Sequence, residues 1–249
     1  MKLFQNLFIL SGLLVMTACD TAATAPPTQI VYRFDAHRYL ELEGNHCEGA
    51  LWYIDITRNI RTEVVHRDNP IFRISFFKFV HPSEKYIAIP WDDLSGFLIS
   101  KDYGRTWEGS RFAPGSGAVQ YGADGPQREE IESITVVNDQ GYVLTKQGDL
   151  YMSSKPFDDP RLEPGGSGID YTVANSRGQM QTHHIRPGYG GGKWGNEYVS
   201  WNSFAGPKHW TIDTYRANFQ NIPNKVPEVK NYTGWDRMRC DPDLGLPAK

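Results

Sequence analysis

The sequence predicts a mainly β fold: a single antiparallel, β-propeller-like domain carrying one ordered hairpin turn. Composition points there first, since aromatics make up 13% of 249 residues and 24 glycines and 16 prolines supply turns. That balance favours pleated strands and tight turns over helices. No long stretch shows clean helical periodicity. Short apolar runs recur instead at close spacing, each bounded by turn residues.

The chain opens on a segment outside that domain. Lys2 gives a positive start, Leu3 to Met16 is mostly apolar, and Thr17 and Ala18 are the small residues that precede a signal-peptidase cut. Gln5, Asn6 and Ser11 interrupt the run, which is too short for a spanning helix of about 20 apolar residues. Met16-Thr17-Ala18-Cys19 resembles the bacterial lipobox, with Met16 where leucine is the usual residue. The resemblance implies that residues 1–18 are removed, that Cys19 carries diacylglycerol, and that the chain is held to the periplasmic face of a membrane. Asp20 follows, and its likeness to enterobacterial sorting signals favours the inner membrane. An ordinary signal peptide with an incidental cysteine is the alternative. Residues 19–27 then form a polar, proline-containing tether, and residues 28–249 form the domain.

Removing residues 1–18 leaves 249 − 18 = 231 residues, enough to bury one sizeable core. The formal charge of −3 becomes −3 − 1 = −4 without Lys2, so no basic excess recommends nucleic acid. Of three cysteines, Cys19 is the anchor, while Cys47 and Cys240 remain. In an oxidising compartment two leftover cysteines pair, closing a loop of 240 − 47 = 193 residues; two separate buried thiols are the alternative. Neither has metal-ligand neighbours at useful spacing.

Strand-like segments fall at Ile30–Phe34, Tyr39–Leu42, Leu51–Ile56, Thr62–Val65, Ile71–Val80, Tyr86–Ile89 and Phe97–Ser100. They resume at Ile131–Val137, Tyr142–Thr145, Leu150–Ser153, Ile169–Val173, Tyr198–Trp201 and Trp210–Thr214. Residues 109–128 and 156–168 read as long Gly/Pro-rich loops, and 187–196 as a plain glycine-rich loop. An internal similarity favours a propeller: two strand–turn–strand units repeat, with Tyr86 and Tyr142 separated by 142 − 86 = 56 residues, and Ser100 and Ser153 by 53. Either period suits a four-stranded blade.

Ser100-Lys101-Asp102-Tyr103-Gly104-Arg105-Thr106-Trp107 matches S-x-D-x-G-x-T-W at every fixed position. It resembles the Asp-box hairpin of sialidase-type propellers. Asp102 can accept hydrogen bonds from the turn's N–H groups, Gly104 allows a positive φ, and the Trp107 ring is suited to burial between sheets. With Ser100 and Thr106 these are structural residues and not catalytic ones.

A glycosidase would need clustered arginines with a nucleophile and an acid. Arg33, Arg73, Tyr171 and Asp170 are the residues available, and no spacing joins them. Glu129, Glu130 and Glu132 read as solvated carboxylates. His183 and His184 are adjacent, so on a strand they point to opposite faces and do not form a metal site. No catalytic set, metal or cofactor is expected.

Several stretches together resemble one family. They are Tyr86–Pro90, Ser100–Trp107, Ile131–Gly141, Leu150–Phe157 and Gly234–Cys240. The chain is similar to the lipoprotein immunity proteins paired with type VI secretion phospholipase effectors of the third lipase-effector class. That resemblance implies a non-enzymatic inhibitor whose partner is a phospholipase effector. Trp52, Tyr53, Trp91, Trp194 and Trp210 are candidate contact residues by type alone, and a core position is the more usual one for each of them. A glycan-binding or envelope-assembly protein remains the second reading, and an envelope-glycan hydrolase the third.

Overall fold

A computed structural model describes residues 25–66, 72–74, 77–112, 126–153, 161, 165–185, 203–205 and 225–246. Cys19, Trp194, Trp210 and the segments expected as strands at Tyr198–Trp201 and Trp210–Thr214 lie outside the described residues.

The first sheet is a meander of β1 (Thr28–Arg33), β2 (Arg38–Asn45), β3 (Glu48–Asp55) and β4 (Ile60–Val65), with β5 (Phe72–Arg73) paired to the start of β3. In β2 every second residue is buried from Arg38 to Gly44, the alternation of a sheet with one face on the core. The β2–β3 connection is a two-residue turn, with Asn45 opposite Glu48. His46 and Cys47 both take positive φ, at 54° and 64°, as a type I′ hairpin requires.

The second sheet collects β6 (Lys78–Val80), β7 (Ile87–Pro90), β8 (Gly96–Ser100), β9 (Glu108–Phe112), β10 (Ile131–Val137), β11 (Gln140–Thr145) and β12 (Leu150–Ser153). A separate two-stranded sheet joins β13 (Ile169–Ala174) to β14 (Met180–Ile185), and β15 (Ser203–Ala205) returns to the large sheet. Its strand order is β6-β10-β11-β12-β15-β9-β8-β7. Pairing is antiparallel except at β6–β10 and β9–β15. The two repeated units become the β7–β8 and β11–β12 hairpins. They lie within one continuous sheet, and among the described residues neither large sheet closes into a barrel or propeller.

Two expectations need correction. Ile71–Val80 is not one strand: Phe72–Arg73 pairs with β3 and Lys78–Val80 with β10, so the chain changes sheets inside one apolar run. Phe72, Ile74 and Phe79 are all buried in the shared core, which is why the run reads as continuous. The expected loop from residue 109 begins instead as β9, paired to β8 along Glu108–Arg111. Its sequence EGSRF buries Ser110 and, at its last residue, Phe112, so one apolar inward position is too few to show hydrophobic alternation.

Inward side chains of both sheets form one contiguous core. Residues 225–246, which have no regular secondary structure, run as a strap along the seam between β1 and β6. Trp235 N–H donates to the Arg33 carbonyl and Arg239 N–H to that of Val31, each at 2.8 Å. On the other side Phe79 N–H donates to Asp236 at 2.7 Å. Beneath the strap Tyr32 and Tyr232 meet at 2.7 Å between hydroxyls, and Tyr32 also donates to the Phe79 carbonyl. Cys47 and Cys240 are joined by a disulfide with a Cα–Cα distance of 5.9 Å.

Candidate interaction surface and the locks behind it

Three locks hold the sheets together, and the Ser100–Trp107 turn is the first. The Asp102 carboxylate accepts from the N–H of Arg105 and Thr106 at 3.0 and 2.9 Å, and from the Thr106 hydroxyl at 2.7 Å. Ser100 Oγ donates to Asp102 and accepts from Gly104 N–H, both at 2.8 Å. Desolvation alone would raise the Asp102 pKa; the hydrogen bonds from Thr106, Ser100 and Arg105 outweigh it and hold the carboxyl below its ordinary range. Gly104 has φ +85°, and a Cβ there would sit 2.3 Å from the Tyr53 ring. Thr62 Oγ1 donates to the Gly104 carbonyl at 2.6 Å and accepts from Trp107 Nε1–H at 3.0 Å. The Trp107 ring meets Tyr53 edge-on at 5.7 Å. A turn of the second sheet is thereby seated on β3 and β4 of the first.

The second lock is buried and polar. Arg38, almost fully buried, pairs with Asp35 at 2.7 Å and donates to the carbonyls of Ser83 and Pro82. His81 is fully buried, and its Nε2 accepts the Ala88 N–H at 3.1 Å. This cap covers the open edge of β7 and assigns the ring proton to Nδ1, which has no hydrogen-bond partner among the described residues. Burial, with the Arg38 charge beside it, pushes the His81 pKa down to about 3. On the surface, Arg58 bridges Asp55 at 2.8 Å and Glu84, while lying over the Tyr103 ring at 4.5 Å. The third lock is the strap with its disulfide.

With the inner faces locked, the outer face of the first sheet is left as a surface. Residues opposite each other across antiparallel strands share a face. The register therefore sets Arg33, Tyr39, Ile54 and Arg61 in one row, and Glu41, Trp52 and Glu63 in the next. The Arg61 guanidinium stacks over the Trp52 ring at 3.8 Å and reaches the Glu41 carboxylate at 3.5 Å. Arg33 lies over Tyr39 at 5.6 Å. Trp52 is half-buried under this cover, and its Nε1–H has no partner among the described residues. Tryptophan, tyrosine and arginine are the residues that anchor protein interfaces, and side chains already stacked lose less entropy on binding.

The other singled-out residues fall elsewhere. Tyr53 is fully buried against the turn, which removes it from the contact candidates. Trp91 is half-buried, its ring lying along Gly96 and Gly109. Arg73 pairs with Glu48 at 3.0 Å. Along β3, Glu48 is six residues from Ile54, the row of Arg33, which is about 20 Å. Asp170 meets His184 at 2.8 Å on the exposed β13–β14 hairpin. Arg33, Arg73 and Asp170 are therefore not brought into one site. Glu130 caps a 3-10 turn by accepting the Gln127 N–H at 2.8 Å, with Glu129 beside it, while Glu132 is exposed on β10. Among the described residues no three His, Cys, Asp or Glu side chains are grouped to hold a metal ion.

The fold and this surface define a β protein of two large sheets and a small hairpin sheet, whose buried polar groups serve as locks and whose most anchor-like side chains face outward. A family model described as T6SS Tli3 immunity protein matches residues 24–145. The match takes 145 − 24 + 1 = 122 of 249 residues. It spans the whole first sheet and the second as far as β11. No curated protein matches the chain.

Proposed function

We propose that this chain is a type VI secretion immunity protein that binds a phospholipase effector, blocks it, and has no hydrolytic activity of its own. The observation that carries the reading is the immunity-family match over residues 24–145, the stretch that includes the aromatic–arginine face. The resemblance of Tyr86–Pro90, Ile131–Gly141 and Gly234–Cys240 to the antidotes of the third lipase-effector class supplies the finer identity of the target. The lipobox-like Cys19 supports a periplasmic position for the antidote, at the membrane such an enzyme attacks. A stable complex buries about 1,200–2,000 Å² in total, and the face around Trp52 and Arg61 is the anchor surface of that interface. A propeller-like arrangement is proposed on the strength of the two matching hairpins, and an experimental structure of residues 28–249 without a further matching unit rejects it.

Mixing the purified unlipidated domain with the effector encoded beside its gene tests the reading, with phospholipid cleavage as the readout. One-to-one binding and inhibition in proportion to occupancy are expected. Undiminished cleavage and no complex at micromolar concentration reject it. Trp52→Ala and Arg61→Ala should each weaken the complex by about 30-fold or more if they are anchors, with the thermal midpoint of the free domain serving as the control for folding.

A further inference from the structure

We propose that the Cys47–Cys240 disulfide is a latch on the C-terminal strap: when it is reduced the strap lifts from the seam between the sheets while both sheets stay folded. The strap, 246 − 225 + 1 = 22 residues without a helix or strand, has one fully buried side chain, that of Met238 at 1% exposure. Most of its other residues are exposed or half-buried. Trp235 and Cys240, both half-buried, also pack against the core, and the rest of its grip is a short set of hydrogen bonds. Trp235 and Arg239 donate to β1, Phe79 of β6 donates to Asp236, and Tyr232 meets Tyr32. Gln29 exchanges two bonds with the backbone of Asp241, at 3.1 and 2.8 Å.

Ordering irregular chain loses conformational entropy residue by residue, and single hydrogen bonds exchanged with water return little of it. One buried methionine and the half-buried Trp235 and Cys240 do not close that gap over 22 residues, so the cross-link decides whether the strap stays down. The sheets do not share this dependence, because each carries its own ladder and both feed one apolar core. Cys47 also sits at the tip of the β2–β3 turn, outside the β2–β3 ladder, and its carbonyl accepts the Ile74 N–H at 3.3 Å beyond the β3–β5 pair. Local opening of a weakly buried unit ahead of global unfolding is the expected behaviour of such an element.

The step is balanced. A dithiol reductant gives two electrons and two protons to the S–S bond, which becomes two thiols. In an oxidising compartment a protein disulfide oxidant accepts the two electrons as the thiols lose two protons. The seam therefore closes only where disulfides form, and a reduced chain presents the unpaired edges of β1 and β6. The latch does not rest on the immunity reading.

Hydrogen–deuterium exchange on the full mature chain tests this, comparing oxidised protein, protein in excess dithiothreitol and the Cys47→Ser/Cys240→Ser variant. The amides of Phe79, Trp235 and Arg239 should exchange about tenfold faster or more on reduction and in the variant, with peptides covering β2–β3 and β10–β11 unchanged. Strap amides that keep their protection overturn the latch. So does loss of protection in the sheets in step with the strap, since the bond would then hold the fold as a whole.

Discussion

At the scale of single residues, Asp102 and Gly104 show how much structure a short polar motif fixes. Asp102→Ala leaves the N–H groups of Arg105 and Thr106 without their acceptor, and a loss of about 1–3 kcal/mol in urea denaturation is expected. Gly104→Ala combines a strained φ with a Cβ driven into the Tyr53 ring. It should cost about 2–4 kcal/mol, and a smaller loss than that of Asp102→Ala would contradict the docking. The motif's local chemistry was legible in the sequence because its donors and acceptors lie within a few residues. Its seat was not, since Tyr53 and Thr62 are distant in the chain. His81 went unnoticed for the same reason: nothing beside a His-Pro turn announces that its ring caps β7. Its folded pKa lies far below the ordinary value, so the unfolded chain binds a proton that the folded one refuses. Stability is then full above about pH 6.5 and falls as pH drops, by about 2 kcal/mol at pH 5. Denaturation curves from pH 7.5 to 5 should show this slope, flattened in His81→Gln; equal slopes for the two proteins count against it.

At the scale of elements, legibility followed hydrophobic alternation. β2, β10 and β11 could be read because their inward positions carry apolar side chains at a period of two or in a continuous run. β9 could not, since of its buried Ser110 and Phe112 only the second is apolar, and β14 is MQTHHI, without an apolar stripe. Both exist through pairing with a neighbour, which is long-range information. The outer aromatic–arginine face was legible only by residue type: Trp52 was a named candidate, but its partner Arg61 is set by the β3–β4 register. The junction between the elements can be tested at Thr62, which joins β4 to the turn by donating to Gly104 and accepting from Trp107. Thr62→Val preserves shape and removes both bonds. A loss of about 1–3 kcal/mol is expected, with the strand content by circular dichroism unchanged. A neutral result would show that the aromatic contact of Trp107 with Tyr53 seats the turn without help.

At the scale of the whole molecule, tether, locks and outer face combine into one expectation about where protection occurs. The first strand described is β1, and the tether proposed for residues 19–27 would join the domain to the lipid proposed on Cys19. On the proposed function, lipidation would confine the inhibitor to the layer beside the membrane, which would raise its effective concentration against an enzyme working on that surface. It adds no contact to the complex. Cys19→Ser should therefore release the protein from the membrane fraction and weaken protection of cells challenged with the effector. The same domain purified without lipid should inhibit the enzyme in detergent-solubilised substrate as well as the lipidated form does. Both halves are measurable, by fractionation with mass spectrometry of the N-terminal peptide and by titration of lipase activity. Unchanged membrane association of Cys19→Ser, with no lipid adduct on the native chain, removes the tether. A lipidated form that inhibits far better than the bare domain in solubilised substrate would instead place the lipid inside the inhibitory contact, and the outer face of the first sheet would no longer suffice as the anchor.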